Sequence, residues 1–452
     1  MAPVALLVVL AQAIPLPMTP EDAGTAESPS PPPPPSGVVV RAGLEAGGTL
    51  WPEGSPSDGL MFVRPLVSLD VGEAFATELG ATFNLLVLDD APLNRQGEYG
   101  RLLRRADWDE LSDFGQLIRQ LRVGRFDDPV HLRAGPVKLQ TLGNGHVINR
   151  YSNRELANYH PAAAHGAFVW GAARGEVFVS DILGPRLFAG LAGVELGRLF
   201  SGGPQWQDRF WLTLELAHDF GNAGGATCPL DGSRAGCLPG DRIKSPSATL
   251  LYADLAAMVY RGETLQLQLI AGGGTRFGRG AGAAAGLTAE LDLSGFLLGM
   301  KVEARKQAAG FRHGYFGPQY EVSRFVGAGF SGVPLGDQVL PDSGSVYGEL
   351  RAGARGVLAF EVAVEHFFWG RTDVDASLQA TLWASRLVMF ARFTVVAVGV
   401  FPRYAVTAEA RVRVVSSVYA LASGGTVFTP QSDGTLSRGV FASLGGGVDF
   451  EL

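Results

Sequence analysis

Residues 300–305 read Met-Lys-Val-Glu-Ala-Arg, a stretch in which apolar and charged side chains alternate strictly. A period of two places the apolar residues on one face of a strand and Lys301, Glu303 and Arg305 on the other. An α-helix would spread the same charges around its circumference. The stretch therefore predicts a β-strand with one apolar face and one charged face.

The same alternation recurs along the chain from about residue 38, for example in 287–293 and 405–413. Two further runs, 356–369 and 387–401, exceed the ~9 to 11 residues that a tilted strand needs to cross a bilayer. Strands of soluble proteins average only ~5 to 6 residues. Because lipid cannot satisfy the main-chain groups of a sheet edge, such strands must form a closed sheet. The pattern predicts an all-β, closed antiparallel transmembrane barrel.

One charged residue interrupts the apolar run 387–401. Arg392 falls on the face of the strand that is predicted to point into the lumen, whereas Met389 and Phe393 fall on the face that meets lipid. Aromatic residues cluster near strand ends, at 367–369 and at 315–320, where a membrane-interface girdle is expected.

The composition excludes several classes of protein. Charged residues make up 18% of the 452 residues and apolar residues 46%, which excludes disorder for most of the chain. A net charge of −7 argues against a nucleic-acid partner. Two cysteines cannot build a disulfide scaffold or a four-cysteine zinc site. The 61 glycines, without a collagen period, indicate turns and strongly curved strands.

The N-terminal region reads as a targeting segment followed by a spacer. Residues 4–10 are apolar and precede Ala-Gln-Ala, which predicts a signal peptide over 1–13, although no Lys or Arg precedes the run; a short buried strand is the alternative. Residues 14–36 include five consecutive prolines at 31–35 and predict a disordered, stiff spacer that could hold a periplasmic partner. The barrel is predicted over 37–452.

The end of the chain carries a family resemblance. Apolar residues alternate from Ala442 to Leu452, with Asp449 and Glu451 on the opposite face and Phe450 two positions before the end. This ending resembles the terminal strand of Gram-negative outer-membrane β-barrel proteins, the porin-like class, which usually finish in an aromatic residue. The resemblance implies export to the outer membrane, contact with its lipid, and recognition by the outer-membrane assembly machinery.

The strand number follows from the chain length. One strand with its share of connections takes ~20 to 25 residues. Setting aside a charged insertion at about 98–160, this predicts about 16 strands, within a range of 14–18.

The insertion is predicted to contain one short amphipathic helix, because Phe114, Leu117, Ile118 and Leu121 have helical spacing. Inside the barrel, this helix could constrict the pore with opposing charges. A solvated helix outside the pore is the alternative. The candidate constriction residues are Asp107, Asp109, Glu110, Asp113, Arg119, Arg122 and Arg125.

Other candidate sites are few. Cys228 and Cys237 are predicted to form a disulfide in an exported loop. Four histidines lie within 131–165, but their spacing fits no standard metal cluster, and neither a metal nor a cofactor is predicted. The sequence lacks the nucleophile-elbow, zinc-protease and P-loop motifs. His218 and Asp219 could serve a hydrolase only if a serine met them on the barrel wall.

Three functions remain, in order of preference. The first is a channel for small hydrophilic solutes, the second is a plugged barrel acting as an anchor or receptor, and the third is an outer-membrane hydrolase; an enzyme is not the preferred interpretation. Solute and oligomeric state are left open. The candidate pore-lining residues are Lys301, Glu303, Arg305, Arg392, Glu409, Arg411 and Arg413.

Overall fold

The computed structural model describes residues 37–51, 58–72, 74–88, 99–100, 102–125, 128–200, 206–227, 242–325, 334–354, 356–383, 386–430 and 436–452. The predicted signal peptide and spacer, and both cysteines, lie outside these residues. The strands are β1 Val39–Trp51, β2 Asp58–Val71, β3 Phe75–Gly80, β4 Phe83–Leu88, β5 Tyr99–Gly100, β6 Leu103–Arg104, β7 Ile118–Val123, β8 Val130–Gly135, β9 Ala163–Trp170, β10 Ala173–Val179, β11 Leu187–Glu195, β12 Phe210–Asp219, β13 Asn222–Thr227, β14 Arg242–Lys244, β15 Ala248–Arg261, β16 Leu265–Arg276, β17 Gly280–Leu293, β18 Phe296–Ala309, β19 Leu340–Ala354, β20 Leu358–Phe367, β21 Thr372–Leu382, β22 Leu387–Val398, β23 Arg403–Val415, β24 Val418–Pro430 and β25 Leu436–Glu451.

The strands form a closed antiparallel barrel. Wall neighbours pair in chain order, and β1 pairs with β25 from Arg41↔Glu451 to Leu50↔Ala442, which closes the sheet. β3 and β4 both pair with β2 and so share one position in the wall, while β6 and β7 pair with them on the other side. β13 and β14 form a separate hairpin. The predicted all-β barrel is confirmed.

The predicted strand number is wrong. The barrel has 20 strands, not about 16 or any number from 14 to 18. The prediction set aside 98–160 as an insertion, but this stretch contains wall strands β6, β7 and β8. Many connections are also shorter than the ~20 to 25 residues per strand had allowed for. For example, only residues 294–295 join β17 to β18, and only 416–417 join β23 to β24.

The two ends of the barrel differ in the length of their connections. The end that holds the start of β1 and the last residue carries short turns, such as 262–264 and 294–295. The opposite end carries the long connections 136–162, 220–247 and 310–339. Outer-membrane barrels have short periplasmic turns and longer extracellular loops. We therefore assign the end with the chain terminus to the periplasm.

The two faces of each strand follow the predicted alternation. Val302 is 44% exposed on the outer surface, whereas its neighbour Glu303 is 1% exposed in the lumen. Arg392 likewise points inward and is buried, and Phe393 points outward and is exposed. Apolar side chains thus cover the outside of the wall, as contact with lipid requires.

The aromatic residues divide between the two surfaces. Phe368 is exposed on the outer surface near the extracellular end, and Trp170 and Trp383 are exposed near the periplasmic end. Tyr315 and Phe316, which were expected in the interfacial girdle, are buried inside the barrel. That expectation is wrong because the connection that carries them folds into the lumen.

In the described parts of the chain, the helices are few and short. They are the α-helices α1 Leu196–Phe200 and α2 Tyr320–Ser323, and the 3₁₀ helices Arg105–Asp107, Leu111–Leu117 and Leu335–Asp337. Among the described residues, the structure has no helix that is both long and apolar enough to cross a membrane.

Candidate functional site in the barrel lumen

Two extracellular connections fold into the barrel. We call 136–162, between β8 and β9, the first inner segment, and 310–325, which follows β18, the second inner segment. A parallel bridge joins them, because the Phe316 amide donates to the Val147 carbonyl oxygen (3.0 Å) and the Asn149 amide donates to the Phe316 carbonyl oxygen (3.2 Å). Together they form one body, the luminal plug.

A glycine turn shapes the tip of the first inner segment. Gly143 and Gly145 have φ values of 49° and 74°, a left-handed conformation that side chains disfavour. The Gly145 amide closes the turn by donating to the Leu142 carbonyl oxygen (2.8 Å). The turn presents the Asn144 carbonyl oxygen to the wall, where Lys301 Nζ donates to it (2.6 Å).

Apolar contacts hold the plug to one side of the wall. The shared core combines plug residues with inward residues of β10, β11, β12 and β15, all of them buried. Burial of this kind is worth about 25 cal/mol per Å² of apolar surface. The main members are Leu142, Val147, Ile148, Tyr151, Phe311, Phe316 and Tyr320 from the plug, with Phe178, Leu187, Ala189, Leu250 and Tyr252 from the wall.

Charged contacts hold the plug to the opposite side. Arg150 Nε donates to Asp375 Oδ2 (2.5 Å), and Arg150 also pairs with Glu361 (2.5 Å). Arg392 shares Asp375 (2.9 Å) and donates to the carbonyl oxygens of Lys138 (2.6 Å) and Arg150 (2.7 Å). Arg150 has a φ of 55°, a strained conformation for a non-glycine residue that these contacts offset.

A third contact centres on the plug residue His146, which is fully buried. Its Nδ1 lies 2.7 Å from Asp254 and its Nε2 lies 2.9 Å from Glu303. Glu303 in turn pairs with Lys301 (2.8 Å) and Arg305 (2.6 Å). Lys301, Glu303 and Arg305 therefore face the lumen as expected from alternation, but their charges engage one another and the plug.

The predicted lining residues on β23 also face the lumen. Glu409 pairs with Lys138 of the plug. Arg411 and Arg413 both pair with Asp449 of β25, at 3.3 Å and 2.7 Å. These two arginines lie near the periplasmic end, and their side chains are about one-third exposed. Their charged groups therefore remain partly accessible at the periplasmic end of the lumen.

The segment of the candidate constriction contains short helical turns, consistent with the predicted short helix, but neither of them carries both of its charge groups. Instead of one helix that carries both charge groups, two 3₁₀ helices hold Asp107 and Asp113, while Arg119 and Arg122 lie on β7 and Arg125 follows it. The second 3₁₀ helix ends at Leu117 because the chain pairs with β3 as strand β7 from Ile118 onward. The acidic and basic candidates therefore do not face each other across one helix.

The candidate residues of this segment also have their own partners. Asp107 pairs with Arg104 (2.5 Å), Glu110 pairs with Arg186 (3.1 Å), and Arg119 pairs with Glu78 (2.8 Å). Asp113 and Glu110 form a capping box at the start of the second 3₁₀ helix. Asp109 lies between the two 3₁₀ helices. The exposed apolar side chains of the same segment are Leu111, Phe114 and Leu117.

A cavity of about 180 Å³ remains between the first inner segment and the wall strands β22 to β25 and β1. Its lining combines aromatic rings with charged groups. The main lining residues are Trp51, Tyr159, Phe390, Phe428 and Phe441, with Lys138, Arg154, Glu155, Arg392 and Glu409.

Arg154 is the cation of this cavity that lacks a partner. Towards the residues that the structure describes, its guanidinium makes no ion pair within 4.0 Å and no hydrogen bond, and its Nε is buried. Burial, aided by Arg119, lowers the pKa of Arg154 to about 10, so the group stays cationic at neutral pH. An unpaired, half-buried guanidinium favours an anionic ligand group.

Glu155 is the neighbouring acid of the same cavity. Burial raises its pKa to about 7, although Arg392 and Arg403 oppose this shift. Its carboxylate lies 4.0 Å from Arg392. The charge of the cavity therefore changes near neutral pH.

The remaining sequence candidates do not assemble a reactive site. His218 points outward from β12 and contacts Thr249 (2.8 Å), whereas Asp219 points inward and pairs with Arg324. The two residues thus lie on opposite faces of the wall. Among described residues, no group of three or more His, Cys, Asp or Glu is placed to hold a metal ion.

Several residues of the lumen were not singled out from sequence. The main contact of the plug joins Arg150 to Asp375, and the unpaired charge of the cavity belongs to Arg154. Of these three residues, only Asp375 lies in an alternating run of the sequence. The sequences of the two inner segments show no hydrophobic periodicity that would distinguish a segment inside the lumen from an exposed loop. Their one visible signal was the dense block 142–153, whose glycines and asparagines indicate a built turn.

Comparisons with known proteins returned structural likenesses alone. No protein-family model matches the sequence, and no curated protein matches it. Pseudomonas aeruginosa OpdK, solved with vanillate, is 10% identical over 92% of this chain and 99% of its own, with a TM-score of 0.34. A BenF-like porin from Pseudomonas fluorescens Pf-5 is 9% identical over 92% and 99%, with a TM-score of 0.35. Pseudomonas aeruginosa OccK2 (OpdF), solved with glucuronate, is 9% identical over 92% and 98%, with a TM-score of 0.36.

Proposed function

We propose that the chain is a narrow outer-membrane channel for small hydrophilic solutes. The observation that carries the proposal is the charged cavity of about 180 Å³ between the plug and the wall of a closed barrel with an apolar exterior. A closed wall excludes lipid from the lumen, and charged groups within it replace part of the hydration of a passing solute.

The free guanidinium of Arg154 gives the channel a preference for anions. Lys138 and Arg392 also line the cavity, but Glu409 and Asp375 neutralise them. Arg154 has no such partner within the described part of the chain. Since one uncompensated charge dominates the potential of a narrow passage, anions should permeate faster than cations of the same size.

Single-channel recording of the purified protein in planar bilayers tests the proposal. We expect small, discrete conductance steps and a reversal potential in a salt gradient that indicates anion preference. A correctly folded protein that stays silent in bilayers, and that admits no small sugar in vesicle swelling, would rule out a channel.

A plugged barrel that acts as an anchor or receptor is the second candidate, and the extensive burial of the plug favours it. Replacing residues 139–152 by a Gly-Ser linker of the same length separates the two. If the native protein is silent and the linker variant conducts, the plug seals the barrel. If both conduct, the native lumen is open.

We also propose that the stretch 14–36 lies on the periplasmic side, since β1 starts at the periplasmic end. Polyproline stretches are common docking segments for partner proteins because they lose little entropy on binding. Added protease should cleave this stretch in cells with a permeabilised outer membrane but not in intact cells.

A further inference from the structure

The barrel wall is incomplete between two neighbouring strands. The ladder between β23 and β24 starts at the periplasmic turn and stops at Thr407↔Gly425, although both strands continue towards the extracellular end. Beyond that pair, the Val406 amide donates to the side-chain Oγ1 of Thr426 (3.2 Å) and not to a main-chain oxygen. Each strand remains paired with its other neighbour over this stretch. We call 403–406 with 426–429 the lateral seam.

The first inner segment occupies the luminal side of the seam. The Ala157 amide donates to the Phe428 carbonyl oxygen (2.8 Å), and the Phe428 amide donates to the Glu155 carbonyl oxygen (3.3 Å). Leu156 forms the isolated parallel bridge with Phe428, and both side chains are buried against Ala405. Three residues of the plug thus take the place that β23 leaves open beside β24.

The cavity borders the seam directly. Ala405 and Val427 belong both to the seam and to the lining of the cavity, and Leu156 belongs to the lining as well. The cavity is amphipathic, because Phe390 and Phe441 contribute aromatic walls whereas Arg154 contributes the free cation. A molecule with an apolar body and an anionic head would match both parts.

The outer side of the seam has the features of a membrane interface. Tyr404 is 42% exposed, and the guanidinium of Arg438 lies 5.1 Å from the centre of its ring. Val406 and Val440 are exposed on the same outer surface, nearer the periplasm. Tyrosine and arginine mark the headgroup level of a bilayer, and valines mark the acyl level. The seam therefore lies where the outer leaflet meets the extracellular medium.

We propose that the seam is a lateral portal through which amphipathic anions pass between the outer leaflet and the luminal cavity, and that residues 155–157 are its door. This inference rests on the proposed channel and adds a second route and a second class of solute to it. Residues 155–157 contribute two main-chain hydrogen bonds and one buried leucine to the closure, and Val322 and Phe325 of the second inner segment pack in the same buried cluster.

The test uses the full chain in lipid vesicles, with decyl sulfate as the probe because it combines an alkyl chain with a permanently ionised head. The parent carries Cys228→Ser and Cys237→Ser, so that introduced cysteines have no other partner. The locked variant adds Leu156→Cys and Phe428→Cys, which face each other across the bridge. Each single cysteine on the parent is the matched control, and heat-modifiable gel mobility verifies that every barrel is folded.

We expect oxidation of the locked variant to reduce decyl sulfate transfer to the rate of vesicles without protein, and a reductant to restore it. Swelling with arabinose, which reports the axial route, should stay unchanged. A second variant, Ala157→Pro, removes one hydrogen bond of the door and should raise decyl sulfate transfer by about fivefold. Thiol titration measures how completely the lock has formed.

Four results would overturn the portal. They are a complete lock without effect on decyl sulfate, an equal loss of both routes in the locked variant, an Ala157→Pro variant that behaves as the parent, and a parent that admits arabinose but no decyl sulfate. In the last case the channel itself would stand. A parent that admits neither probe would instead contradict the proposed channel.

Discussion

Arg150 of the luminal plug and Asp375 of the barrel wall join two parts of the chain through a hydrogen bond of 2.5 Å. Both side chains are about 95% buried, and Asp375 also accepts from Arg392 and Thr394. One carboxylate therefore binds two guanidinium groups, with Glu361 as the second counter-charge, and it links the plug to β21 and β22. We therefore expect the position of the plug, and the width of the proposed passage, to depend on this carboxylate.

Asp375→Asn tests that dependence. The substitution leaves two buried arginines short of a counter-charge, and the loss of one partner of a buried pair costs about 3–5 kcal/mol. We expect a lower free energy of unfolding and a larger, noisier single-channel conductance as the plug loosens. Glu361→Gln is the control. Glu361 is more exposed than Asp375, and it pairs with Arg150 but not with Arg392. Equal effects of both substitutions would contradict the central place of Asp375.

Phe316→Ala tests the apolar side of the plug. Phe316 is fully buried, and truncation of a buried phenylalanine costs about 3–5 kcal/mol. Because the wall does not depend on this ring, we expect the barrel to remain folded and its conductance to rise. Phe393→Ala removes the same ring from the lipid-facing surface and should leave the conductance at the native level. An unchanged conductance in Phe316→Ala would mean that the plug does not limit the passage.

Alternation along the strands was sufficient to predict the barrel and the inward face of residues such as Glu303 and Arg411. This works because a strand in a bilayer contacts lipid on one face only, so the chemistry of the two faces must differ. Strand number was not accessible in the same way. Short strands such as β8 and the joint wall position of β3 and β4 carry no pattern that separates them from loops.

The plug could not be predicted because its contacts are distant in sequence. Arg150 meets Asp375 across 225 positions, and His146 meets Glu303 across 157. The clustered aromatics at 315–320 were visible, but a girdle and a buried core require the same residue types. A deletion of 98–128 cannot test whether this segment constricts the lumen, because it would remove β7 from the wall.

Arg154→Gln tests the preference for anions. Arg154 is unpaired among the described residues, and its removal should lower the chloride-to-potassium permeability ratio by roughly threefold, the effect of one unit charge acting through a hydrated lumen. Lys306→Gln is the matched control, since it removes a positive charge from the outer surface, where Lys306 pairs with Asp342. Reversal potentials in a salt gradient give the ratio. A similar decrease in both variants would show that net charge, and not Arg154, sets the selectivity.

The Cys228–Cys237 disulfide remains a prediction, because both residues lie outside the described part of the chain. Peptide mapping by mass spectrometry, without reductant, should recover the two cysteines in one linked peptide. Closing a loop of this size is worth about 2–3 kcal/mol on the chain-entropy model, so Cys228→Ser should lower the unfolding free energy by that amount. Free thiols at both positions in protein isolated from the outer membrane would contradict it.

Glu155 predicts a pH dependence of the channel. Its pKa is raised to about 7 by burial, so the folded protein retains a proton there that the unfolded chain releases near pH 4.5. The folded state therefore binds more protons between these values, and its stability decreases as the pH rises from about 4.5 to about 7. Above pH 7 the carboxylate becomes charged beside Arg392 and opposes the field of Arg154.

Anion preference should accordingly decrease as the pH is raised from 6 to 8, and Glu155→Gln should abolish most of that decrease because an amide does not titrate in this range. Reversal potentials of the native chain and the variant, recorded at both pH values in the same salt gradient, measure the effect. Asp342→Asn, which alters an exposed carboxylate on the outer surface, should retain the native pH profile. If Glu155→Gln keeps the full pH dependence, another group of the lumen sets it, and the charge of Glu155 does not control the selectivity.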